Sequence, residues 1–375
     1  MSTWSLIESE DGTALADQVR ALTGGWQPGE LRGEAWRRIG GDLGVAGLLI
    51  SAADGGAGAG MSEVVASAQA LGRGGVVTPF LSSAVTATTI LVALGADREE
   101  ARALLRELAD ADATACLVVP ATTPAGRTPW LAVEKVDDAG LRISGTVFGV
   151  LGAEHADLLL VPIQDRAGRT ALVAVNRGSG AVVAVETSLD ESNPVSVVTL
   201  DDASGVMVGL GPEVEVAVQR GLRAATVAIA GELVGAMEWA LEASTSHLAT
   251  RRQFGRQLGS YQSLRHLAAR MWIDLQQARA VTLNAASVLD DPTQPEDERD
   301  LAASLAAVHV RSLAVECLET TLQVHGGIAF TWEHPLHRYL KRAVSLSVVH
   351  GTTDHHRRQV ARLVDLPLPV GGAHV

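Results

Sequence analysis

Cysteine is scarce in this chain of 375 residues, with only Cys116 and Cys317. Two thiols cannot build a disulfide scaffold, and they fit a reducing, cytoplasmic setting. Positive charge is also short. Lys and Arg total 30 against 43 Asp and Glu, a formal net charge of -13, which argues against nucleic acid as a partner. The first residues, MSTWSLIESEDG, carry acidic groups and no apolar run, so they do not read as a secretory signal. No uninterrupted apolar stretch reaches the roughly 20 residues of a membrane span. There is no internal repeat, no HExxH and no paired-cysteine pattern, so no metal site is expected. These absences leave a soluble globular protein, expected in the cytoplasm.

Apolar residues make up 47% of the sequence and charged ones 19%, enough to bury a sizeable interior. The length suggests two or three domains. Residues 1–112 read as helical: alanine and leucine recur at helical spacing in LGVAGLLISA, MSEVVASAQALGRGG and REEARALLRELADAD. From residue 113 the texture changes to short apolar runs, ACLVVP, WLAVEKV, LRISGTV, ADLLLVPI, TALVAVN, AVVAVET and SVVTL, punctuated by Gly, Pro, Asp and Asn. That rhythm predicts a small β-barrel or sandwich over residues 113–212. Helices return over residues 213–375. Val227, Ala230, Val234, Met237 and Leu241 mark one apolar face, and Leu264, Leu267, Met271, Leu275 and Ala278 a second. The polar stretch DDPTQPEDERD reads as a loop, and further helices run from about residue 300 to 325 and after residue 351. Long amphipathic helices with short connections predict a four-helix bundle. The fold class is α+β, with helices, then a β domain, then a bundle.

Several stretches invite chemistry. GGAGAG at residues 55–60 has the glycines of a dinucleotide loop, but it follows a helical region rather than a strand, so an interhelical loop is the better reading. The histidines His325, His334, His337, His350, His355 and His356 crowd the last third of the chain without metal-ligand spacing. Solvated or capping roles are the default. Two other stretches differ in kind. TRRQFGRQLGSYQ places Arg251, Phe254, Gly255 and Gln262 at a helix junction, and QVHGGIAF places Gln323, Gly326 and Gly327 at a helix end.

In this order, behind a β domain, the two stretches resemble the C-terminal domain of the acyl-CoA dehydrogenase family, and the resemblance extends over nearly the whole chain. It implies FAD bound between two subunits and α,β-desaturation of a CoA thioester. The RxxFG and QxxGG elements would reach across to the flavin of the neighbouring subunit, a role that falls here to Arg251, Phe254, Gln323, Gly326 and Gly327. Arginine makes charge-assisted bonds to a diphosphate, and glycine lets backbone N–H groups come close. The subunit's own flavin contacts do not match. The family's Thr-Glu-Pro strand end corresponds to CLVVPATTPAGRTPW, and its Trp-Ile-Thr stretch to GTVFGVLGAEHAD. The Glu-Gly-Thr turn of the catalytic base corresponds to His350, Gly351 and Thr352, and the alternative base position to Ala225. Asp354 stands where relatives often place a glutamine. Glu232, on the same helix face as Ala225, is about 10 Å too far along the axis to substitute. His355 and His356 are expected at the surface of the last helix.

The expectation is a catalytically silent subunit of a heteromeric acyl-CoA dehydrogenase. It resembles the α2β2 enzymes of actinobacterial sterol side-chain degradation, with FAD held mostly by a homologous catalytic partner and electron-transfer flavoprotein as acceptor. A homomeric flavoenzyme using His350 as base, or acting as a flavin monooxygenase, is the alternative, and a flavin-free scaffold a third reading.

Overall fold

The computed structural model describes residues 9–26, 28–29, 33–95, 98–133 and 141–365. The first eight residues of MSTWSLIESEDG and the last part of WLAVEKV lie outside them.

The N-terminal segment is helical: α1 (Glu10–Thr23), α2 (Gly33–Trp36), which runs on as a π-helical turn over Arg37–Asp42, α3 (Met61–Gly74), α4 (Thr88–Leu94), entered through a π-helical turn over Phe80–Ala87, and α5 (Glu99–Ala109). Ser9 caps α1 by accepting from the Gly12 amide at 2.9 Å. LGVAGLLISA is a correction. Instead of a helix it forms a single 3-10 turn over Val45–Gly47, because Gly44 is left-handed and Gly47 packs directly on the Gly56 backbone.

All seven expected strands form: β1 (Ala115–Leu117), β2 (Leu131–Val133), β3 (Arg142–Leu151), β4 (Leu158–Asp165), β5 (Thr170–Asn176), β6 (Ala181–Val185) and β7 (Val195–Leu210). They make one curled sheet in the order β1-β4-β5-β7-β3, with β2 also on β4 and β6 also on β7. The 16-residue β7 is the hinge of the curl, pairing β3 and β6 with one half and β5 with the other. Alternation explains the nearly unbroken apolar β4 and β5. Leu158, Leu160, Leu172 and Ala174 face α4 and α5, while Leu159, Val161, Val173 and Val175 fill the inside of the curl.

The C-terminal helices are α6 (Pro212–Thr250), α7 (Gln262–Asp290), α8 (Glu296–His325), α9 (Leu336–Leu346) and α10 (Thr353–Leu363), with a hairpin of β8 (Arg252–Gln253) and β9 (Arg256–Gln257) between α6 and α7. Val227, Ala230, Val234, Met237, Met271, Leu275 and Ala278 join one apolar core with residues of α1, α3, α8 and α9. By length and composition α6 and the stretch Glu296–Phe330 could each cross a membrane, but 78% and 56% of their apolar windows are buried within the fold.

The crossing of α3 on α6 is very close. A Cβ on Gly235 would lie 2.0 Å from the Gln69 carbonyl, and one on Gly72 equally close to that of Glu232. Gly235→Ala must therefore push two backbones apart, and overpacking of this kind costs about 1–3 kcal/mol or more. Urea denaturation checks this, and an unchanged midpoint would show that the crossing has slack.

Candidate functional site

The residues singled out by sequence fall at two places, separated along α8. From Arg311 to His325 is about 20 Å of helix axis.

One place is the turn at His350. This residue adopts φ +54, a left-handed conformation that histidine tolerates better than most side chains. Its amide donates to the Ala121 carbonyl at 2.7 Å, the Ala121 amide donates to the Gly149 carbonyl at 2.7 Å, and Pro120 bridges to Val150. Thus the three stretches that the family resemblance places around a flavin are bonded directly to one another. The cavity left between them, lined by Leu81, Ser82, Thr86, Leu117, Val119, Ala121, Leu151 and His350, measures about 20 Å³. That is room for one water.

Beneath the turn, Arg311 is 1% exposed and faces no carboxylate among the described residues. Its Nη1 donates to the carbonyls of Ser347, at 3.3 Å, and Gly351, while Nε and Nη2 have no partner. Burial pushes its pKa down to about 10. Burial, and then the Arg311 charge, push His350 down to about 4 and His356 to about 3. His356 corrects the surface expectation. Thr352 caps α10 by accepting from the His355 amide, which turns His356 inward to meet the His350 carbonyl at 3.2 Å. His355 stays half-exposed and Asp354 pairs with Arg357 at the surface.

The alternative base positions are closed. Ala225 is fully buried in the bundle core. Glu232 is held by both oxygens to Arg342, at 2.7 and 3.1 Å, and the same guanidinium reaches Asp190 at 3.1 Å. Burial opposes the Arg342 charge, but the two carboxylates outweigh it and hold its pKa above the usual value.

The second place is a groove of about 820 Å³ where α6 and α8 end, lined by Ala243, Ser246, His247, Thr250, Arg251, His325, Gly327, Ile328 and His334. Arg251 and Gly327, far apart in sequence, come together here. Arg251 is exposed and makes no ion pair among the described residues. Gly326 ends α8 at φ +64, and a Cβ on Gly326 or Gly327 would meet nothing within 4 Å. Phe254 and Gly255 form the two-residue turn of the β8–β9 hairpin, both at positive φ (52 and 80), as a type I′ turn requires. A phenylalanine held left-handed and 89% exposed is locally costly, so it serves something other than this chain's stability. Gln323 is exposed on the last turn of α8, outside the groove lining. Ile328 lines the groove, and Phe330 (74% exposed) and Trp332 (75%) follow it in sequence as exposed apolar side chains.

Sequence reasoning missed the company these residues keep. His247, His325 and His334 come from three elements and lie ring beside ring in series, with centroids 4.4 and 4.6 Å apart and planes tilted by 35° and 60°. His247 had no flag in the sequence beyond lying four residues before Arg251. Among the described residues no His/Cys/Asp/Glu group is arranged to hold a metal. GGAGAG proves to be a loop ending at Gly60, the N-cap of α3. Asp290 accepts from the Met61 and Ser62 amides, and Glu63 from that of Gly60. Two carboxylates already occupy the helix N-terminus that a phosphate would need.

Residues 214–364 match the family model "Acyl-CoA dehydrogenase, C-terminal domain". Acyl-CoA dehydrogenase FadE34 of Mycobacterium tuberculosis is 28% identical over 94% of this chain but only 45% of its own length, so the chain spans about half of that relative. Acyl-CoA dehydrogenase IpdE2 of the same organism is 27% identical over 90% of this chain and 87% of its own length. Among solved structures, the ChsE4-ChsE5 complex from Mycobacterium tuberculosis superposes with TM-score 0.80 at 24% identity, over 97% of this chain and 100% of that one. A variant of the Tcur3481-Tcur3483 steroid ACAD gives 0.79 at 23%, over 95% and 97%.

Proposed function

We propose that this chain, whose residues 214–364 match the acyl-CoA dehydrogenase C-terminal domain and whose relatives include acyl-CoA dehydrogenases, is the non-catalytic subunit of a heteromeric flavin-dependent acyl-CoA dehydrogenase. Its groove completes a partner's FAD site, while its own site carries no catalytic glutamate. One contrast carries the reading. The place for the chain's own flavin is zipped shut around about 20 Å³, while the groove that faces outward stays open at about 820 Å³.

FAD does not fit the His350 turn, where three segments share backbone hydrogen bonds and Leu151 lines the remaining space. It fits the groove. Arg251 has a guanidinium with no ion pair among the described residues, available for a diphosphate; Gly327 lines the groove, and it and the adjacent Gly326 have open space where a Cβ would stand. Phe254, Ile328, Phe330 and Trp332 offer exposed apolar surface for a partner to cover. When bound, FAD supplies the hydride acceptor for desaturation of an acyl-CoA. This chain's part is to hold the cofactor's anionic end and exclude water, and the base comes from the partner. The ChsE4-ChsE5 complex and the steroid ACAD among the structural neighbours support a heteromer and a steroid CoA thioester; electron-transfer flavoprotein as acceptor and a cytoplasmic setting complete the proposal. The alternative, His350 as base in a homomeric flavoenzyme, needs a substrate-sized cavity and a base that titrates near neutral pH; about 20 Å³ and a pKa of about 4 supply neither.

The test is flavin content. Purified alone, the chain should carry little FAD; purified with a homologous subunit that has the Glu-Gly-Thr turn, the complex should be yellow and should bleach with acyl-CoA. Stoichiometric flavin and turnover from the single chain would overturn the reading. Arg251→Ala removes a charge-assisted bond worth about 1.5–3 kcal/mol, so FAD should dissociate from the complex roughly ten- to a hundredfold more readily.

A further inference from the structure

We propose that His247, His325 and His334 extend the Arg251 groove into a proton-linked anion site, which takes up protons as it binds the diphosphate of a dinucleotide. This rests on reading the groove as a cofactor site and adds a role for residues outside the RxxFG and QxxGG elements.

The geometry comes first. The three imidazoles form one row of tilted rings along the groove wall, His247 on the last turn of α6, His325 at the end of α8 and His334 in the loop before α9. Their ring nitrogens are not used up internally. His325 keeps Nδ1 on the Thr321 carbonyl at 2.8 Å, which leaves Nε2 open. The Leu336 amide donates to His334 Nδ1 at 3.3 Å, so Nε2 of that ring carries the proton and already stands as a donor to an anion, and proton uptake falls to His247 and His325. The His247 ring has no hydrogen-bond partner among the described residues.

The charges follow. The groups acting on His247 are His325 and Arg251, and those acting on His334 are His325, His247 and His337. All are cationic when charged, and no carboxylate pairs with the row among the described residues. Glu333, next in sequence to His334, is exposed and hydrogen-bonded to Thr331. Partial burial, and then mutual repulsion, hold His247 and His334 below the usual histidine range. His247 and His334 therefore part with a proton more readily than a free imidazole does, beside the permanent charge of Arg251. A doubly charged diphosphate reverses the balance, because each proton taken up then gains a partner. A neutral or cationic ligand gives the row no reason to protonate.

The probe is ADP, the anionic end of the flavin dinucleotide, with inorganic pyrophosphate and orthophosphate as comparisons. Isothermal titration of the full chain, in buffers of different ionisation enthalpy between pH 6 and 8, reads proton uptake directly. ADP and pyrophosphate should bind with net uptake, and their affinity should fall as pH rises, by up to about tenfold per pH unit for each proton taken up. Orthophosphate matching pyrophosphate would overturn the diphosphate assignment. His247→Gln with His325→Gln should abolish the uptake but leave weaker, pH-independent binding through Arg251, with circular dichroism unchanged. ADP binding without uptake, uptake that survives the double variant, or no ADP binding at pH 6 would each overturn the proposal. The FAD content of the complex separates this from the parent reading. A complex that keeps FAD regardless of pH and of the two histidines defeats the proton linkage alone, whereas one that keeps FAD just as well without Arg251 defeats the groove itself.

Discussion

Lowering the pH from 7 to 5 should remove about 4 kcal/mol of folding stability from this protein, roughly 2 from each of two buried histidines. His350 and His356 are neutral in the folded state, with pKa values of about 4 and about 3, whereas an unfolded histidine titrates near 6.5. The unfolded chain therefore binds more protons below pH 6.5. The stability is fully present above that value and is lost as pH falls toward 4. Neither ring can easily escape by moving, since His350 is pinned through Ala121 and His356 through the His350 carbonyl, with the Arg311 charge beside both. A domain typically holds about 5–15 kcal/mol in total, so acid unfolding should begin well above pH 4. His350→Asn is the informative variant, because asparagine accepts the left-handed backbone at φ +54 and does not titrate. It should keep the neutral-pH fold and cut the loss between pH 7 and pH 5 to about half. Urea denaturation at both values, on both proteins, measures it; equal stability at pH 7 and pH 5 in the parent chain would sink the idea.

The same residues mark where sequence stops being legible. The apolar periodicity of α6 and α7 and the spaced valine-rich runs of β1–β7 are local signals, and both appear in the fold. Helix and strand periods depend only on neighbours along the chain. Where the outcome depends on distant residues, the local signal misleads. LGVAGLLISA has helical spacing, but Gly47 is pressed on Gly56 and turns the segment. His356 looks like a surface residue of an amphipathic helix until the Thr352 cap sets its direction. β7 extends well past SVVTL because β5 is there to pair its second half across Asp201 and Asp202. At the site, Arg251 and Gly327 were legible through their spacing, and the structure brings them to one groove. The row of His247, His325 and His334 was not, because three elements build it and none carries a pattern. The mutual bonding of Pro120–Ala121, Gly149–Val150 and His350 was hidden for the same reason.

Arg342→Ala should be the most damaging single truncation in the chain's polar interior, at about 3–5 kcal/mol. Among the described residues its guanidinium is the only ion-pair partner of Glu232 and of Asp190, and both carboxylates are largely buried, Asp190 almost completely. Removing the arginine leaves two negative charges in a low-dielectric setting with little water to solvate them. Three parts of the fold meet at this point: α9 through Arg342, α6 through Glu232, and the loop between β6 and β7 through Asp190. The loss should thus appear as looser seating of the sheet on the bundle as well as lower global stability. A double variant distinguishes charge from packing. Adding Glu232→Gln to Arg342→Ala removes one stranded carboxylate and should recover about 1 kcal/mol or more if unpaired charge is the cause. No recovery would place the loss in packing of the arginine stem instead. The network also has a bearing on function. A carboxylate clamped at 2.7 and 3.1 Å by a buried guanidinium has both oxygens occupied, so Glu232 is not free to act as a base without breaking this clamp. Under the proposed heteromer, with Ala225 buried in the core and Glu232 tied to Arg342, the base is assigned to the partner subunit.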